Sequence, residues 1–253
     1  ILEACPLWNS SSSVKGTNKY SDTKNSDIVV ITAGFPRKPN MSRDDLLLAN
    51  ADVVRKASEE IAKTSPRSIV IVVTNPMDVM AQLAWKTTGF PFRHVMGMGG
   101  ILDASRFRTF ISMELGVSPE DIETLVLGGH GDQMVPLPRF TTVKGVPAEE
   151  LMKKKTLDNL IQRTRGGGAE IVNLLKSGSA YYAPAAAAFQ MVKAILLDEK
   201  RMLPCAAYLD GEYGVRGLYA GVPVILGMNG IEKIIELRLK GAEKAQLRES
   251  CSS

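Results

Sequence analysis

A histidine set between glycines is the first place in this chain where chemistry can be read. His130, one of only two histidines, lies in Val126-Leu-Gly-Gly-His-Gly-Asp-Gln-Met-Val-Pro-Leu-Pro138, directly after the apolar run from Asp121 to Leu127. Imidazole titrates near neutrality, so a histidine at the mouth of a strand suits general acid/base work. Taken alone, a histidine beside a carboxylate is more often a hydrogen-bonded surface or core group. Its company changes the weighting: two arginine-bearing segments lie upstream, and Asn75-Pro76 follows a second apolar run. A base of this kind needs an anion that favours imidazolium. Asp132 is the near candidate, since residues i and i+2 share a face of a strand. Arg106 follows Asp103 by one helical turn, which by itself reads as an i,i+3 ion pair worth about a few tenths of a kcal/mol. Arg108 faces elsewhere and reads as a surface residue.

The elements that must position these side chains alternate in type. Asp27 to Gly34 reads as a fully buried strand of β-branched residues, and the Pro-containing segment 35–42 as a loop. Ser42 is placed to cap a helix that Asp44 and Asp45 favour at its positive end and that Ser65-Pro66 stops. Arg67 to Thr74 is a second buried strand ending at Asn75-Pro76, with a helix from Asp78 to Lys86 after it. A short strand at His94 to Gly97, a helix over 102–115 and a strand over 121–127 then deliver His130. Strand and helix in alternation give a parallel sheet with right-handed crossovers, whose ligands bind beyond the carboxyl ends of the strands. Gly34, Asn75 and His130 all fall just past such ends.

The second half has a different rhythm. Residues 156–176 and 182–198 read as long helices, 202–225 as an antiparallel ribbon of hairpins punctuated by glycines, and 230–248 as helix again. Met77, Met96, Met98 and Tyr182 read as packing residues. The division falls into 1–122 and 123–253, with a core shared between the halves.

Composition excludes several classes. The chain has 253 residues, 45% hydrophobic and 23% charged, and its net charge of +4 is spread among interspersed acidic and basic residues. With aromatics at 6% and no interleaving of basic and aromatic residues, nucleic-acid binding is not expected. Apolar stretches stay well short of the roughly 18 residues of a membrane span, so no membrane association is expected. The cysteines Cys5, Cys205 and Cys251 are odd in number and far apart, which gives neither a disulfide framework nor a metal site. The N-terminus Ile1-Leu-Glu-Ala-Cys-Pro-Leu-Trp8 has no basic segment ahead of a long apolar one and no initiator Met. The expectation is a cytoplasmic protein, with an organellar address left open, whose sequence here begins partway through a longer chain.

Four motifs then stand in a familiar order. Ala33-Gly-Phe-Pro-Arg-Lys-Pro-Asn-Met-Ser-Arg-Asp-Asp-Leu46, Thr74-Asn-Pro-Met-Asp78, Leu102-Asp-Ala-Ser-Arg-Phe-Arg108 and Gly128-Gly-His-Gly-Asp132 together resemble the malate/lactate dehydrogenase family. The arginine-rich loop is most similar to the family's bacterial malate branch, and the likeness continues through Gly178 to Pro184 and Tyr213 to Pro223. The resemblance implies an α/β fold: an incomplete Rossmann-like, doubly wound parallel sheet followed by an α+β substrate domain. It implies reversible hydride transfer between L-malate and NAD, with His130 as the base and Asp103, rather than Asp132, as its partner. Arg106 would then grip the substrate carboxylate, Arg43 polarise the C2 oxygen and Arg37 meet the second carboxylate of a dicarboxylic acid, on a loop able to close over it. Asn75 would contact substrate and nicotinamide together, and Gly34, Asn50, Val73 and Thr74 would face the cofactor. A homodimer or homotetramer is implied, with the helices at 42–64 and 160–198 as interfaces. NAD rather than NADP rests on the resemblance as well.

One departure stands out. The Gly-x-Gly-x-x-Gly phosphate loop, and the acidic residue about 20 positions beyond it that holds the adenosine ribose, have no counterpart in these residues. The expectation is a chain that starts after the second strand of the nucleotide half. An alternative therefore stands beside the enzyme: a catalytically silent, truncated relative serving as an assembly or interaction module.

Overall fold

The structure is a computed structural model that describes residues 2–36, 43–176 and 178–252. Strand β1 (Ile28–Ile31) is followed by α1 (Arg43–Thr64), β2 (Ile69–Val72), α2 (Met77–Thr88), β3 (Val95–Gly97) and α3 (Gly100–Leu115). Five short strands come next: β4 (Ile122–Glu123), β5 (Val126–Leu127), β6 (Val135–Pro136), β7 (Thr142–Val143) and β8 (Val146–Pro147). Helices α4 (Ala148–Leu151), α5 (Lys154–Leu175) and α6 (Tyr182–Leu196) lead to the long strands β9 (Arg201–Asp210) and β10 (Arg216–Gly227), then β11 (Gly230–Ile234) and α7 (Gly241–Cys251).

The described residues form one six-stranded sheet in the order β1-β2-β3-β9-β10-β11. β1, β2 and β3 run parallel, and β9, β10 and β11 are antiparallel to their neighbours, joined to β3 through the pair Gly97 and Ala206. Helices cover both faces, and β2 shows why. Its alternate residues Val70 and Val72 pack with Val54 and Ile61 of α1 and Met77 and Met80 of α2. Ile69 and Ile71 point the other way, into a cluster with Met96, Leu127, Met191 and Ile195. In α1 the buried positions Asn50, Val54, Ala57 and Ile61 recur every three or four residues, the spacing of one helix face. A third cluster, of Phe107 and Ile111 with Leu157 and Leu160, fastens α3 to α5. Full burial of side chains such as Phe107 contributes about 1.5–3 kcal/mol each.

The α/β class and the parallel strands agree with expectation, and four details do not. β1 is not fully buried: among the described residues it pairs with β2 alone, and Val30 is 36% exposed. Burial of a strand needs neighbours on both flanks, whatever its composition. The expected strand at 121–127 is two strands in two small antiparallel sheets, β4 with β7 and β8, and β5 with β6. Between them the Thr124 hydroxyl donates to the Ala104 carbonyl of α3 at 2.8 Å, which turns the chain off the strand path. The expected helix over 230–248 is β11 followed by α7, because the turn Gly227-Met-Asn-Gly230, with Gly230 at φ +79°, folds the chain back along β10. Met77, Met96 and Met98 are buried, but Tyr182 is 82% exposed on the outer face of α6. The expected cap Ser42 lies outside the described residues.

Candidate active site

His130 sits in the loop between β5 and β6, and the glycines around it allow the loop its shape. Gly128 has φ +82° and Gly131 φ +121°, conformations that side-chain-bearing residues rarely adopt. Three separate elements hold this turn. Gly128 exchanges two main-chain hydrogen bonds of 2.9 Å with Gly221 of β10, where an added Cβ would lie 2.6 Å from the Gly128 carbonyl oxygen. The Gly129 N–H donates to the Ser250 Oγ of α7 at 2.8 Å, and the His130 N–H donates to the Asp78 Oδ2 of α2 at 2.7 Å.

The imidazole meets Asp103, which lies in the first turn of α3 and is 2% exposed. His130 Nδ1 is 2.8 Å from Asp103 Oδ2, and Arg106 Nη1 donates to the other carboxylate oxygen, Oδ1, at 3.2 Å. Asp103 thus spends one oxygen on each partner. With Nδ1–H directed at the carboxylate, the Nε2 lone pair is the proton-accepting end of the ring. Asp132, the candidate nearer in sequence, is exposed. Burial pulls the His130 imidazole down from its ordinary value, but the charge and hydrogen bond of Asp103, helped by Asp78 and opposed by Arg106, outweigh burial and hold it above.

Arg106 is laid along α5 by a run of small residues. A Cβ at Gly167 would lie 3.0 Å from its Cδ and 3.4 Å from its Nε, so only glycine leaves that channel open. Its Nε is buried without a hydrogen-bond partner among the described residues. Arg108, by contrast, pairs with Glu123 at 3.1 Å on the surface, as its spacing suggested.

At the ends of β1 and β2 a second group of the expected residues converges. Val73 N–H donates to the Ile31 carbonyl at 2.9 Å, and the Thr74 hydroxyl to the Ala33 carbonyl at 2.8 Å. Asn50, 1% exposed, spends its amide on main chain: Nδ2 donates to the carbonyls of Asn75 at 2.7 Å and Phe35 at 3.2 Å, and Oδ1 accepts the Phe35 N–H at 2.7 Å. Asn50 therefore braces the two strand ends against each other. Gly34 is required there, since a Cβ would meet Thr74 Cγ2 at 2.6 Å and Asn50 Oδ1 at 2.9 Å. The Asn75 side chain is exposed, and a cis peptide joins it to Pro76. Arg37 and the side chain of Arg43, which opens α1, lie outside the described residues. Sequence reasoning missed Asp78, Ser250 and the glycines of α5. The run Gly166-Gly167-Gly168 inside a helical stretch was a legible signal, because glycine there weakens a helix and has to be needed for something else.

The chain is similar to known proteins over nearly its whole length. Residues 2–97 match the NAD binding domain of lactate/malate dehydrogenase, and residues 101–253 match its alpha/beta C-terminal domain. A malate dehydrogenase of Desulforudis audaxviator is 57% identical over all 253 residues, which span 82% of its length. Among solved structures, malate dehydrogenase from Salinibacter ruber superposes with a TM-score of 0.94 at 49% identity, over 99% of this chain and 80% of that one. A lactate dehydrogenase from Cryptosporidium parvum, in complex with lactic acid and nicotinamide adenine dinucleotide, superposes with a TM-score of 0.94 at 43% identity, over 99% and 80%. With both halves matched in order around one buried Asp103–His130 pair, this chain belongs to the lactate/malate dehydrogenase family.

Proposed function

We propose that this chain catalyses the reversible oxidation of L-malate to oxaloacetate with NAD, its site lying between residues 1–122, the nucleotide half, and 123–253, the substrate half. The observation that carries the reading is the bridging carboxylate of Asp103, which ties a proton acceptor, His130, to a carboxylate-binding cation, Arg106. His130 Nε2 takes the C2 hydroxyl proton, and Asp103 keeps the ring in the tautomer that can accept it and stabilises the imidazolium that results. Arg106 pairs with the C1 carboxylate through the planar fork that suits a carboxylate better than an ammonium does. Arg43 stabilises charge on the C2 oxygen, and Arg37 meets the second carboxylate, both by resemblance.

The residues at the strand ends fit the nicotinamide end of the cofactor. Asn75 presents an exposed neutral amide and Gly34 exposed main chain, groups suited to a carboxamide rather than to an ion, while Val73 and Thr74 tie the two strand ends together. Asn50 keeps this set in register. NAD, when bound, supplies the acceptor for the hydride that leaves C2. The residues of this chain do the rest: they orient the substrate, hold its proton and balance its charge.

A silent module gains no observation of its own. A buried carboxylate with an arginine and a histidine packed against it is costly to keep, and the three stand in the arrangement that the reaction needs. The exposed apolar side chains Leu48 of α1, Leu174 of α5 and Tyr182 and Phe189 of α6 support assembly as a homodimer or homotetramer through these helices. No helix among the described residues is long and apolar enough to cross a membrane. A cytoplasmic address is the corresponding proposal.

Replacing His130 by Asn tests the reading. Malate-dependent reduction of NAD is expected to fall by about 10²–10⁴-fold, the usual contribution of a general base. Turnover near that of the parent chain would refute it.

A further inference from the structure

Asp78 is a buried carboxylate that the chemistry above does not use. It stands in the first turn of α2, a few residues after Asn75, and meets the main chain of the His130 turn, whereas Asp103 of α3 meets the ring. Its Oδ2 accepts the His130 main-chain N–H at 2.7 Å, and its Oδ1 is buried with no hydrogen-bond partner among the described residues. A buried carboxylate oxygen without a donor costs free energy, so an ionised group there is a structural liability unless it serves another purpose. The residue to which it is tied is the one whose proton is transferred.

We propose that Asp78 is a positioning residue of this site: through the His130 N–H it fixes the imidazole-bearing turn to the start of α2, and it places a second carboxylate beside the ring that Asp103 orients. Asp103 and Asp78 then divide the labour. Asp103 binds Nδ1 and sets the ring's direction, while Asp78 binds the main chain and sets where the ring stands relative to Asn75. The charged groups acting on His130 are Asp103 and Arg106 from α3 and Asp78 from α2. Cys251 of α7 lies in the field of Asp78, and its thiol, pushed up to about 11 by burial and then by that carboxylate, stays neutral. Burial, helped by the Asp103 charge, pushes the Asp78 carboxyl itself up to about 6, while the His130 N–H and charge and its own main-chain N–H hold it down. Above that pH the carboxylate is ionised and favours imidazolium; below it the favour is withdrawn. The inference rests on the malate reading for its kinetic consequence but not for its electrostatic one.

The test is Asp78→Asn, which keeps the shape and one acceptor oxygen but removes the charge. Because the chain has only two histidines, the imidazole C–H signal of His130 can be followed by NMR through a pH titration, assigned by its loss in His130→Asn. The expected result is a fall of several tenths of a pH unit or more in the His130 midpoint, with that of His94 unmoved. The acid limb of kcat/KM for malate should move down with it, as a purely structural role would not require. An unshifted His130 midpoint in the folded variant overturns the proposal. A shifted midpoint in a chain that does not turn over malate would sink the functional reading and leave this one standing. Should the variant not fold, the parent chain carries the test alone: the His130 signal is expected to show a second, lower inflection from Asp78, and a single inflection overturns the proposal.

Discussion

His130 Nδ1 lies 2.8 Å from Asp103 Oδ2, a contact between residues 27 positions apart that joins the turn after β5 to the first turn of α3. With His130 as the proposed base, the pair fixes the sign of the pH dependence. The imidazole is held above its ordinary value in the folded chain. Malate oxidation needs the neutral ring, so its kcat/KM rises as pH climbs through that raised value. Oxaloacetate reduction needs imidazolium, so it is lost over the same window. Asp103→Asn removes the main group holding the value up and leaves burial to act. Both limbs are expected to move to lower pH, with kcat reduced by about 10²–10⁴-fold. Limbs that stay in place would show that Asp103 does not govern the base.

Gly166 and Gly167 are neighbours in α5, yet a methyl group meets open space within 4 Å at the first and Arg106 Cδ at 3.0 Å at the second. Either change to Ala improves helix propensity by about 1 kcal/mol. Gly166→Ala is expected to raise the melting temperature and leave KM for oxaloacetate alone. Gly167→Ala is expected to raise that KM by about 10-fold through displacement of Arg106, with a smaller effect on kcat. Melting curves and steady-state kinetics on the two variants decide it: equal KM values would remove Arg106 from the substrate carboxylate.

Arg37 carries the expected choice between dicarboxylic and monocarboxylic acids. A cation placed for a second carboxylate is left unpaired by pyruvate, a penalty that a neutral residue does not impose. Arg37→Gln is expected to lower kcat/KM for oxaloacetate by about 10²-fold or more and to raise it for pyruvate. An unchanged ratio of the two would refute the role.

What could be read from the sequence divides along a physical line. The strands β2 and β3, the helices α1 to α3 and the placing of His130 and Asn75 just past strand ends follow from local patterns, which are fixed by periodicity and turn chemistry. The choice of Asp103 over Asp132 needed family resemblance, because it depends on how α3 meets a turn far along the chain. Asp78, Ser250 and Gly221 were invisible for the same reason. Each holds the His130 turn from a distant element, and none carries a local mark of doing so. The break at Thr124 and the strand β11 were missed where one side-chain hydrogen bond and one tight turn overrode the apolar pattern. The exposure of β1 reflects which strands flank it, a property that its own four residues do not contain.

The measurement that bears most directly on all of this is NADH oxidation by the purified 253-residue chain, with oxaloacetate and pyruvate assayed in parallel. Oxaloacetate-dependent turnover well above that with pyruvate is the expected result. A folded, homogeneous sample that oxidises NADH with neither acid, or with pyruvate in preference, would contradict it.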